Sequence, residues 1–137
     1  MTRELARFYK QQFDEFRLDL IESWGVHELS LKPVQSNLVS VYRQYLGLAC
    51  LTTILSQRAP RNDYVRAVPE VSYLSMILAV KGLENSASVL LRQSIELALK
   101  HVFFSSHPVE FDWSLRRPGY REISFQFLLD YLRKTEE

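Results

Sequence analysis

The sequence predicts an all-α protein, a single bundle of about five helices built around a central antiparallel hairpin. Three observations carry this reading. Apolar residues recur every three or four positions over most of the 137-residue chain. Glycine or proline stands where those runs break. No segment alternates apolar and polar residues with period two over a useful length, save a short stretch from Val26 to Leu31.

From Glu4 to Trp24, Leu5, Tyr9, Phe13, Phe16 and Leu20 form one apolar stripe, with Lys10, Asp14, Arg17 and Asp19 off it. Gly25 follows where a left-handed residue would end the helix. Val26 to Val34, containing Pro33, reads as a connector. Ser36 or Asn37 is then expected to cap a second helix carrying Leu38, Val41, Tyr45, Leu48 and Leu55, ending by Ala59 because Pro60 restricts the residue before it.

Pro69 suits the first turn of a third helix, with Val71, Leu74, Ile77 and Leu78 continuing the pattern to Gly82. Asn85 or Ser86 is expected to cap the fourth, running through Leu90, Leu91, Ile95, Leu97, Ala98 and Val102 to about Phe104. The short Gly82-Leu83-Glu84 connection forces these two into an antiparallel hairpin. Leu91 and Ile95 are expected in its core. His107-Pro108-Val109-Glu110-Phe111 reads as another helix start, with proline at its first position. Leu115 to Tyr120 reads as a turn-rich loop, and Ile123, Phe127, Leu128, Tyr131 and Leu132 outline a final helix. That helix is still periodic at Glu137, so residues 1–137 are read as one domain, either whole or the N-terminal part of a longer chain.

A 47% hydrophobic and 24% charged composition is that of a globular domain and not of a disordered tail. Net charge is +1, so binding to nucleic acid would have to come from a local patch. The only cysteine, Cys50, lies in an apolar run and is expected to be a small buried hydrophobe. A cytoplasmic location follows from that cysteine usage and from an N-terminus without a secretory pattern. The most apolar stretches, Leu46 to Leu55 and Leu74 to Val80, fall short of bilayer-spanning length, so no membrane partner is expected.

Few residues point to chemistry. His27, His101 and His107 show no metal-ligand spacing, and no phosphate-binding glycine loop or nucleophile elbow occurs, so neither metal nor cofactor is expected. Arg92, Glu96 and Lys100 follow one another at i,i+4 and predict a polar seam along one helix face. Arg116, Arg117 and Arg121 surround Pro118-Gly119 and could grip phosphates, which would be the contact for RNA or DNA.

The run Tyr73-Leu74-Ser75-Met76-Ile77-Leu78-Ala79-Val80-Lys81-Gly82, then Ser86-Ala87 and Leu90-Leu91-Arg92-Gln93-Ser94-Ile95-Glu96-Leu97-Ala98-Leu99-Lys100, resembles HEPN-like helical domains of bacteria. The likeness continues through His107 to Trp113 and covers about the C-terminal half. It implies a helical bundle that often dimerises, found in ribonuclease toxins, phage-defence proteins and non-catalytic adaptors. Active ribonuclease members carry Arg, four to six residues, then His. Here Arg92 is followed by histidine only at His101, about 13 Å further along the helix and half a turn round it.

The sequence therefore favours a non-catalytic interaction module, a homodimer or a subunit of a defence or nucleic-acid-processing assembly. The alternatives are a divergent metal-independent ribonuclease using Arg92, His101 or His107 across a dimer, and a scaffold for a region beyond Glu137.

Overall fold

The computed structural model describes residues 2–58, 64–116 and 123–135. Among them there are helices and turns and no strand, including over the Val26 to Leu31 alternation. In chain order the elements are α1 (Arg3–Glu22), α2 (Glu28–Leu31), a 3-10 turn (Lys32–Val34), α3 (Gln35–Arg58), α4 (Tyr64–Val80), α5 (Glu84–Ser106), α6 (Pro108–Arg116) and α7 (Phe125–Thr135).

The side chain of Thr2 caps α1 by accepting from the Leu5 N–H. Gly25 takes the expected left-handed conformation at φ 65°, and the Val26 N–H returns to Leu20 O at 2.9 Å. The connector expected after it is itself helical. The imidazole of His27 caps α2 by accepting from the Leu29 N–H, and the 3-10 turn feeds directly into α3. Ser36 and Asn37 are thus interior helical residues and not caps, because the preceding turn already supplies carbonyls for their amides.

This continuity has a second consequence. Glu28–Gln57 is a single helical stretch that, by length and composition, is long and apolar enough to cross a bilayer, contrary to the expectation drawn from the shorter Leu46 to Leu55 run. Little of it is buried. Cys50, expected inside, is exposed on α3, since the helix turns its Leu38, Tyr42 and Thr52 face inward instead.

α4 starts five residues before Pro69, so that proline lies inside the helix and removes one i→i−4 bond. Packing of Val65 and Val68, both almost fully buried, holds the extra first turn in place. Gly82 closes α4 in a Schellman arrangement. Its φ is 75°, the Leu83 N–H donates to Leu78 O at 2.9 Å and the Gly82 N–H to Ala79 O at 3.0 Å. Leu83 then precedes α5 without any side-chain cap, so neither Asn85 nor Ser86 plays that role.

The hairpin of α4 and α5 is the most extensive helix pair, and small residues let it close tightly. Ser72 and Ser94 hydroxyls lie 2.6 Å apart, Ser75 donates to Ala87 O at 2.7 Å, and Ser94 reaches Val68 O at 3.5 Å. The buried line of α5 therefore runs through Ala87, Ser94 and His101. Leu91 and Ile95, expected in the core, are 53% and 45% exposed, because the close approach of α4 selects the small residues beside them.

Two apolar clusters result. In the first, Phe13, Phe16 and Leu20 of α1 meet Tyr42 of α3 and Ile77 of α4, with Phe16 stacked on Tyr42 at 4.4 Å. The second joins Phe103 and Phe104 of α5 to Phe111 of α6 and Leu128 of α7. A polar network closes the edge of the first. Tyr73 and the Trp24 indole both donate to Asp19 Oδ2, and Lys81 Nζ donates to Trp24 O at 3.1 Å. Hydrogen bonds from Ser23 and Tyr73 hold the Asp19 carboxyl below its usual range, while burial, then the bond to Asp19, pushes the Tyr73 phenol up.

Tyr73→Phe is expected to cost about 1.5 kcal/mol, the lower end for a bond to a charged group because Ser23 and Trp24 still serve Asp19. The sign with pH follows from the lowered carboxyl. The Asp19 contribution is full above the ordinary value of 3.8 and is lost as pH falls through the lower folded-state value. Urea unfolding of wild type and variant should therefore differ at neutral pH and converge in acid.

Candidate functional site

α5 carries the sequence-derived candidates, and the fold spreads them apart. Of the expected ladder, Glu96 and Lys100 form an ion pair at 2.8 Å whose side chains are 27% and 13% exposed. Lys100 Nζ also sits 5.9 Å from the centre of the Tyr64 ring. Arg92 is exposed, makes no ion pair with Glu96, and lies over the Phe125 ring of α7 at 5.2 Å. The three-residue seam is thus an ion pair plus a cation–π contact, because the arrival of α7 beside α5 offers the guanidinium an aromatic face.

His101 is buried on the line that faces away from Arg92, and burial lowers its pKa from 6.5. His107 stands between α5 and α6, with Nδ1 2.9 Å from Phe103 O, its ring stacked on Phe103 at 4.3 Å and edge-on to Tyr131 at 5.2 Å. It lies about 22 Å from Arg92 along the chain direction of α5. Within one chain Arg92, His101 and His107 therefore share no site where one phosphodiester could meet both an arginine and a histidine. Arg116 is exposed in the last turn of α6, while Arg117 and Arg121 lie outside the described residues.

A concave feature that sequence reading missed lies elsewhere. α4 forms the floor of a trough of about 540 Å³, α3 one wall and Leu91 of α5 the other. Val41 and Leu48 line the α3 side, Met76 and Ala79 the floor. Its polar groups are uncharged: Ser30, Asn37, Gln44, Tyr45, Ser72 and Ser75. Leu91 is the α5 residue in the lining; Ile95, Ala98 and Val102 follow it along the helix at spacings of four, three and four, with Ile95 and Val102 nearly half exposed. The only signal in the sequence was this spacing, which the buried-core reading absorbed. Among the described residues, no cluster of His, Cys, Asp or Glu could hold a metal ion.

Comparison with protein-family models, with curated proteins and with solved structures returns no match.

Two outcomes follow from the α5 geometry. Glu96→Ala should cost about 1–3 kcal/mol in chemical denaturation, between an exposed pair and a fully buried one. For His101, the folded state resists a proton that the unfolded chain accepts at 6.5, so stability is full above that value and is lost as pH falls below it. Stability from urea unfolding should fall as pH drops below 6.5, by at most about 1.4 kcal/mol per pH unit, and His101→Gln should flatten that slope.

Proposed function

We propose that this chain is a non-catalytic helical interaction module, a dimerising or adaptor subunit whose partner covers the α3–α4–α5 trough. One observation carries the reading. Large apolar residues stand exposed on helix faces: Val41 and Leu51 on α3, Leu91, Ile95 and Val102 on α5. Contiguous apolar faces of this kind mark interaction surfaces more often than they remain in water.

The dispersal of Arg92, His101 and His107 supports a binding role over cleavage, since arginine and histidine must act on one scissile bond. The resemblance of the C-terminal half to HEPN-like domains supports reading the module as part of a cytoplasmic bacterial phage-defence or nucleic-acid-processing assembly. In that setting Arg116, with Arg117 and Arg121, would supply any contact to RNA or DNA.

Purified protein incubated with total RNA in chelator should leave the RNA intact on a denaturing gel. Metal-independent cleavage, abolished by Arg92→Ala in a protein with unchanged circular dichroism, would replace this reading with a ribonuclease whose site is shared between chains.

A further inference from the structure

We infer that one flank of α1 is the docking surface for an acidic helix of a partner protein, with carboxylates at three- and four-residue spacing. The inference rests on the interaction-module reading and adds a partner chemistry at a second face, since no α1 residue lines the trough.

Charge is segregated round α1. At 3.6 residues per turn, Arg3, Arg7, Lys10 and Arg17 fall within about 80° of one another, on a row about 21 Å long. Glu4, Glu15, Asp19 and Glu22 gather on another flank, about a third of a turn away. Lys32 extends the basic row, because Arg17 and Lys32 line one small cavity where the 3-10 turn meets α1. Arg17 is half-buried and the other four cations are exposed.

The two flanks are used differently. On the acidic one, Glu15 accepts from Gln11 and Gln12, and Asp19 from Tyr73 and Trp24. On the basic one, none of the five cations makes an ion pair with a described residue. Arg3 with Arg7 and Arg7 with Lys10 stand at i,i+4 and i,i+3, where like charges destabilise a helix. An anionic neighbour turns that repulsion into attraction.

Asp14 and Glu28 choose among anionic neighbours. Asp14 falls inside the row, between Lys10 and Arg17, and Glu28 lines the cavity with Arg17 and Lys32; both are exposed and neither has an ion pair among the described residues. A phosphate backbone or an anionic bilayer repeats one sign of charge and meets both carboxylates at a cost. A protein helix can set a lysine against Asp14 and carboxylates against its neighbours, as flanking charges do in paired helices. The exposed apolar residues of the N-terminal half of α1, Leu5 and Phe8, lie about 140–160° round the helix from the row. They therefore offer neither base stacking beside the cations nor an insertion face beneath them.

Fluorescence anisotropy on the full chain tests this with synthetic helical peptides, one carrying glutamates at alternating three- and four-residue spacing and a set in which one lysine replaces each glutamate in turn. The all-glutamate peptide should bind, and lose about tenfold in affinity between about 50 and about 300 mM salt. Arg7→Glu and Lys10→Glu should each weaken it about tenfold while circular dichroism stays unchanged, and Lys134→Glu, exposed in the last turn of α7, should not. One lysine-bearing peptide should bind more tightly than the all-glutamate one, and Asp14→Asn should remove that difference. Failure of every peptide to bind, or binding that Arg7→Glu and Lys10→Glu leave unchanged, overturns the inference and leaves the interaction-module reading standing. A lysine set without any tighter binder overturns the matched helix as partner. Tighter binding to a uridine homopolymer or to phosphatidylserine vesicles, lost in both charge-reversal variants, would assign the flank to phosphate-bearing ligands and likewise overturn the proposal.

Discussion

The close approach of α4 and α5 is the constraint on which the rest of the structure depends. Two helices can approach this near only where side chains are small, and Ser72, Ser75, Ala87 and Ser94 provide that line. Their hydroxyls spend their donors on each other and on the carbonyls of Val68 and Ala87, so the polar groups are buried without being left unpaired. Gly82 makes the hairpin turn possible, since φ 75° is a conformation that side-chain-bearing residues resist. Once the hairpin is set, Tyr73 and Ile77 on the other side of α4 receive α1 and α3.

That choice has a cost on the surface. By burying its small residues, α5 turns Leu91, Ile95 and Val102 toward solvent, and α3, committed to α1 through Tyr42, leaves Val41 and Leu51 beside them. The trough lies between Val41 and Leu48 of α3 and Leu91 of α5. Its neutrality and apolar lining follow from the same cause as its existence, because all its walls are the flanks of core-facing stripes.

The second aromatic cluster shows how a local feature gains a tertiary role. His107 ends α5, precedes α6, stacks on Phe103 and meets Tyr131 of α7. Phe125 of α7 accepts the Arg92 guanidinium. Residues that carried catalytic candidacy in the sequence are thereby used to seat the last two helices.

How much of this was legible in the sequence differs by element. Helical periodicity determined the fold class, the α4–α5 hairpin and the stops at Gly25 and Gly82, because those depend on backbone preferences and on residues within one turn of each other. It failed at Pro69, where burial of Val65 and Val68 outweighs the lost hydrogen bond, and at Ser36, Asn37, Asn85 and Ser86, where continuing helix or a Schellman turn makes a cap unnecessary. It failed most informatively at Leu91, Ile95 and Cys50. A helix that is apolar over much of its circumference does not state which stripe meets its neighbour; that depends on interhelical distance, and at the distance serine and alanine permit, the larger residues are pushed to the flank. The tertiary structure alone decided that Ser94 lies inside, that Leu91 lies outside, and that the chain carries an open apolar trough.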